Sequence, residues 1–113
     1  MPVIKVWCLP HHPEQEPLER LHKSIVEAVI SVKDFNLASE EDMTCLFPPD
    51  SMSYGLGSSI VVEISGLPDR GETARHALAE KVGKAVYYLY LNAKVECIIH
   101  TANPADGYWK SSK

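Results

Sequence analysis

Pro2 is the residue in this chain with the most unusual chemistry to offer. The sequence opens Met1-Pro2-Val3-Ile4-Lys5-Val6, a proline directly behind the initiator and at the head of an apolar run. A small residue after methionine favours removal of the initiator, and Pro2 would then carry a free secondary amine on the first position of a strand. An α-amino group titrates near ~8 when unperturbed. An apolar pocket or a nearby cation disfavours its charged form and lowers that value. A base poised near neutrality is what removal of a proton next to a carbonyl requires. The plainer alternative is that Pro2 begins an edge strand, where its missing N–H does no harm.

Other residue types invite chemistry and carry less. His11-His12 suggests a metal, but adjacent residues leaving a strand point to opposite sides, and no third ligand stands at metal spacing. Cys8, Cys45 and Cys97 are odd in number, far apart and set in apolar runs. They read as buried thiols of a reducing compartment rather than a disulfide framework. Glu96 interrupts an apolar strand; it is a second acid–base group, a partner for a cation, or an outward-facing strand residue. His100 reads as a hydrogen-bonded strand-end histidine. Trp7, Tyr87, Tyr88 and Tyr90 read as packing residues, and Tyr108 with Trp109 as a latch or a pocket wall.

These groups need elements to position them. Residues 3–9 read as a β-branched strand of the kind buried on both faces. A helix follows, with Glu14 and Glu16 in its first turn, where the dipole favours acids. Its apolar stripe runs Leu18, Leu21, Ile25, Ala28, Val29 and Val32, and Lys33 ends it, a helix-end cation the dipole also favours. Met43 to Phe47 alternate as a second strand, stopped by Pro48-Pro49-Asp50. A Gly- and Ser-rich stretch, 51–59, leads to a third strand, Ile60 to Ile64. After the loop Gly66-Leu67-Pro68-Asp69-Arg70-Gly71, Thr73 is a candidate N-cap. A second helix then carries the stripe Ala74, Ala77, Leu78, Val82, Ala85, Val86 and Leu89 and stops near Asn92. Val95 to His100 is a fourth strand.

The pattern is strand–helix–strand twice over. Adding 58 to a residue number carries the first half onto the second, Pro2 onto Ile60 and Lys33 onto Leu91. Right-handed crossovers then give an α+β fold, a four-stranded sheet with both helices on one face. The other face is left bare, and strands apolar on both sides require cover, so the chain is expected to oligomerise through its sheet. With 113 residues, 45% of them hydrophobic, the expectation is one domain over 1–113 with one modest core. A net charge of −4 without a basic patch argues against nucleic acid as a partner. No apolar run is long enough to span a membrane, and no signal-peptide pattern is present, so the expected location is cytoplasmic.

The Pro2 start, the two β-α-β halves and the length together resemble the tautomerase superfamily. The similarity is to its macrophage migration inhibitory factor and 5-carboxymethyl-2-hydroxymuconate isomerase branches. Pro49-Asp50-Ser51-Met52-Ser53-Tyr54-Gly55 followed by Ser58-Ser59 is similar to that branch's Pro-Asp-x-x-Met-x-Phe-Gly…Ser-Ser stretch, one residue shorter between Asp and Met. Val95, Asn103, Ala105 and Trp109 keep the spacing of its last strand and tail. The resemblance implies a homotrimer of packed sheets, no cofactor, and a small carboxylic acid as substrate. It also implies a pocket between subunits in which Pro2 shuttles a proton of a 2-keto or 2-hydroxy-dienoate acid. Lys33 matches a substrate-binding lysine of the family, and Arg70 resembles the carboxylate-binding arginine of related isomerases and dehalogenases. Glu96 and Ile98 stand where cytokine-type members carry Tyr and Asn.

On that reading neutral Pro2 is the general base, and Lys33 with the backbone N–H groups of Gly66 and Leu67 faces the developing oxyanion. Arg70 would clamp the substrate carboxylate bidentately. Two alternatives stay open. One is a ligand-sensing or cytokine-like oligomer of the same fold without chemistry. The other is a hydrolytic dehalogenase or decarboxylase, which requires a carboxylate to activate water, with Glu96 as candidate. For Lys33 and Arg70 the plainer roles are a helix-end charge and a solvated loop charge.

Overall fold

A computed structural model describes residues 2–7, 15–48, 59–68, 70–101 and 111. Alternating apolar residues give β1 (Val3–Trp7), and the 3.6-residue stripe gives α1 (Gln15–Ser31) with Leu21, Ile25, Val26 and Val29 buried. Two 3₁₀ turns, Lys33–Phe35 and Glu40–Asp42, lead into the short β2 (Thr44–Leu46). Then come β3 (Ser59–Leu67), α2 (Glu72–Leu89) and β4 (Lys94–Thr101). The sheet order is β2-β1-β3-β4. β1 runs parallel to β2 and β3 parallel to β4, while β1 and β3 meet antiparallel at the centre. This is the doubled β-α-β arrangement expected from the sequence.

The core lies between sheet and helices. Ile4 and Val6 of β1 and Ile60, Val62 and Ile64 of β3 are fully buried under α1 and α2. Each such side chain contributes about 2 kcal/mol by leaving water. The opposite sheet face corrects one expectation, because it is mixed rather than apolar. Lys5, Glu63 and Glu96 alternate with the core positions and share that face with Val3, Trp7, Val61 and Ile98. The period of two puts every second residue there whatever its type.

Element ends differ from the expectation where backbone geometry intervenes. α2 starts at Glu72, behind Gly71 as N-cap, so Thr73 lies inside the first turn. Gly71 has φ +98°, a value that favours a residue without Cβ. α2 ends at Leu89 rather than near Asn92, with the Tyr90 N–H donating to the Tyr87 carbonyl. α1 ends at Ser31, whose hydroxyl donates to the Ala28 carbonyl at 2.6 Å, so Lys33 belongs to the following 3₁₀ turn. β3 continues through Gly66 to Leu67, residues expected in the loop. Tyr87 and Tyr88 pair ring to ring but are 41% and 66% exposed, and Leu89 at 40% falls off the buried stripe. The expectations on Cys8, His11-His12, Glu14, the 49–58 stretch and Tyr108-Trp109 lie outside the described residues.

Candidate active site at the Pro2 end of the sheet

Strand register decides what surrounds Pro2. The parallel pairing Val3↔Thr44 lets the Thr44 N–H donate to the Pro2 carbonyl at 2.9 Å. That bond fixes the residue just ahead of β1, and Pro2 is buried. The antiparallel pairing Val3↔Ser65, continued by one residue, sets Gly66 opposite Pro2. Gly66 is also the extra residue of a bulge between Ser65 and Leu67, with φ +81°. A bulge residue drops out of the regular ladder, and Gly66 does so at this end of the sheet.

Pro2, Gly66, Leu67 and Pro68 form one side of a pocket of about 370 Å³. Phe35, Asn36, Leu37, Glu41 and Asp42 form the other. That second wall comes from the connection between α1 and β2. Phe35 is buried and anchors the first 3₁₀ turn. Asn36 follows with φ +53°, a left-handed conformation that Asn tolerates better than most residues. A capping box then closes the second turn. The Ser39 hydroxyl accepts from the Glu41 N–H at 3.3 Å, and Asp42 Oδ2 accepts from the Ser39 and Ala38 N–H groups at 3.2 and 2.8 Å.

The site residues expected from the sequence divide into two groups. Pro2, Gly66 and Leu67 line one pocket. Lys33, Arg70 and Glu96 are exposed and are not among its lining residues. Lys33 stands two residues before Phe35, and Arg70 two residues after Pro68, so each sits on a segment leading into a pocket wall. Glu96 is on β4, in register with Val61, which in turn pairs with Trp7 on the face away from the helices. Sequence reasoning did not find Asn36, Glu41 and Asp42. The Ser39-x-x-Asp42 spacing signals a capped turn, but only the β1–β2 pairing brings that turn beside Pro2.

Two thiols and a histidine lie outside the pocket lining. Burial pushes the Cys97 thiol up to about 12, and burial with the nearby Glu40 carboxylate pushes Cys45 up to about 11. Neither thiol is activated as a nucleophile. His100 Nε2 lies 3.6 Å from a Glu63 carboxylate oxygen across the β3–β4 pair. The Trp7 indole N–H is buried without an acceptor among the described residues.

No protein-family model matches the chain, and no curated protein sequence matches it. Solved structures do. A fused 4-OT asymmetric trimer is 18% identical, covers 88% of this chain and 85% of its own, and superposes with a TM-score of 0.71. Malonate semialdehyde decarboxylase is 10% identical over 98% of this chain and 92% of its own, with a TM-score of 0.68. A Vibrio cholerae protein of unknown function is 11% identical over 99% of this chain and 85% of its own, with a TM-score of 0.70. The chain therefore shares its fold with fused 4-OT and with malonate semialdehyde decarboxylase.

Proposed function

We propose that this protein is a cofactor-independent keto–enol tautomerase or isomerase whose general base is the free amine of Pro2, exposed by removal of Met1. The supporting observation is the placement of buried Pro2 in one pocket with the Gly66 bulge. A base and oxyanion donors then face the same space. The lone pair of Pro2 takes a proton from the carbon next to a ketone. The C–H electrons become the enolate double bond, and charge gathers on the carbonyl oxygen, where the Gly66 and Leu67 amides would receive it. Pro2 returns the proton to oxygen or to another carbon. A 2-keto or 2-hydroxy-dienoate monoanion fits this scheme, with Lys33 and Arg70 meeting its carboxylate at the pocket mouth. A homotrimer in the cytoplasm is part of the proposal, supported by the trimeric fused 4-OT structures.

A second reading is favoured by one observation, the carboxylates of Glu41 and Asp42 in the pocket. Carboxylates stabilise a protonated amine. Pro2 would then act as an acid while a carboxylate activates water, the hydrolytic or decarboxylating chemistry of the second alternative. Malonate semialdehyde decarboxylase, similar in fold, is named for such a reaction.

Intact mass of the protein comes first, and loss of Met1 is the expected result. Proton–deuterium exchange next to the carbonyl of a 2-keto acid, followed by NMR, then compares wild type with Pro2→Ala. A fall of about 10²-fold or more is expected, the range of a general base. Full exchange activity in the variant, or a retained Met1, overturns the proposal. The pH profile of kcat/KM separates the two readings: a rising limb through neutrality marks the base, a falling limb the acid.

A further inference from the structure

We infer that Glu41 sets the charge selectivity of the Pro2 pocket, so that it takes monocarboxylic keto acids and rejects dicarboxylic ones. The inference rests on the proposed use of this pocket and adds the substrate class. Among the described residues lining the pocket, the only charged side chains are Glu41 and Asp42, and no cation is there. The two carboxylates are not equivalent. Asp42 Oδ2 accepts from two backbone N–H groups and holds the turn together, which offsets part of its charge. Glu41 contributes only its backbone N–H to that box, and its side chain is exposed at the lining with no ion pair among the described residues. Lys33 and Arg70 are exposed outside the lining, each two residues in sequence from a wall residue, Phe35 and Pro68. A ligand with one carboxylate can therefore direct it outward to them and its neutral ketone inward to Pro2 and Gly66. A second carboxylate at the other end has only the acidic wall to meet. Like charges within several ångström repel even in a solvated site.

The neighbouring Glu40 supplies a control. It is one residue away, exposed, 4.0 Å from His22 Nδ1, and not among the lining residues. Glu40→Gln and Glu41→Gln thus change the protein's charge equally, and only the second changes the pocket. Binding is read directly, so the test does not depend on turnover. Two-dimensional NMR follows the Asn36 and Gly66 amides during titration with 2-oxobutanoate and with 2-oxoglutarate. Wild type is expected to bind the monoacid more tightly. Glu41→Gln is expected to narrow the preference by about three- to fivefold, the scale of one exposed charge, and Glu40→Gln to leave it in place. High salt is expected to narrow it as well. Equal effects from both variants, no effect from either, a wild-type preference for the diacid, or no shift at those amides overturns the inference. Pro2→Ala tests the base separately: a binding preference that survives while exchange activity is unaffected by Pro2→Ala removes the catalytic proposal and keeps the selectivity.

Discussion

The two β-α-β halves have the same architecture and spend their connections differently. In the second half α2 passes to β4 through a few residues after Leu89, and β4 pairs over eight residues. The packing is close there: a Cβ on Gly83 would stand 3.6 Å from the Cys97 Cβ. In the first half α1 passes to β2 through two 3₁₀ turns, and β2 is only three residues long. The shorter strand gives up ladder hydrogen bonds, and the longer connection leaves the wall of a pocket. The residue repeated onto Ile60 is Pro2; Ile60 is sealed inside the core, whereas Pro2 faces that pocket. The difference teaches that the fold supplies two similar scaffolds and that, among the described residues, the irregular connection of the first gives it a pocket at the end of its first strand.

Changes at the two halves sharpen or break this comparison. The largest effect is expected at Pro2, where Pro2→Ala lowers exchange activity by about 10²-fold or more with little change in Tm. A change of similar size in folding and activity together would make Pro2 a structural residue. Next come the cores, which are expected to be equivalent. Leu21 of α1 and Leu78 of α2 are both fully buried, so Leu21→Ala and Leu78→Ala should each cost about 3 kcal/mol in urea unfolding. A much smaller cost in one half would mean that its helix packs more loosely than the structure shows.

The connections themselves should separate the halves. Ser39→Ala removes the capping hydroxyl from the pocket wall and is expected to cost about 1 kcal/mol, with a rise in KM. Gly83→Ala in α2 is expected to do the reverse. Its added Cβ meets Cys97 at an ordinary contact distance, and alanine is about 1 kcal/mol better than glycine inside a helix. Tm should therefore rise with activity unchanged. The smallest effect concerns the two described thiols, Cys45 in the first half and Cys97 in the second. Folding raises their pKa from 9.0 to about 11 at Cys45 and about 12 at Cys97. The unfolded chain therefore loses these protons first as pH rises. Their contribution to stability is intact below about pH 9 and is lost progressively above it. Denaturation midpoints from pH 8 to 11 check the sign, and iodoacetamide at pH 8 should label native protein far more slowly than unfolded protein.

Much of this was legible residue by residue. The stripes Leu21, Ile25, Val29 and Leu78, Val82, Val86 declared both helices, because burial on one face imposes a 3.6-residue period. Pro2 behind Met1 declared a candidate base, because its chemistry is local to one ring. Gly66 and Leu67 line the same pocket as Pro2, yet the segment that reads as a loop is the bulged end of β3. Glu41 and Asp42 carry no such local signal, because it is the pairing of β1 with β2 that brings their turn beside Pro2.

The sequence by itself determined the periodic elements, their doubled order and the candidate base at position 2, because side-chain period and functional-group identity are local properties. Tertiary structure alone decided which groups share the space around that nitrogen. The pairings Val3↔Thr44 and Val3↔Ser65 bring together residues more than forty positions apart, and register of that kind is set by packing the whole sheet against its helices.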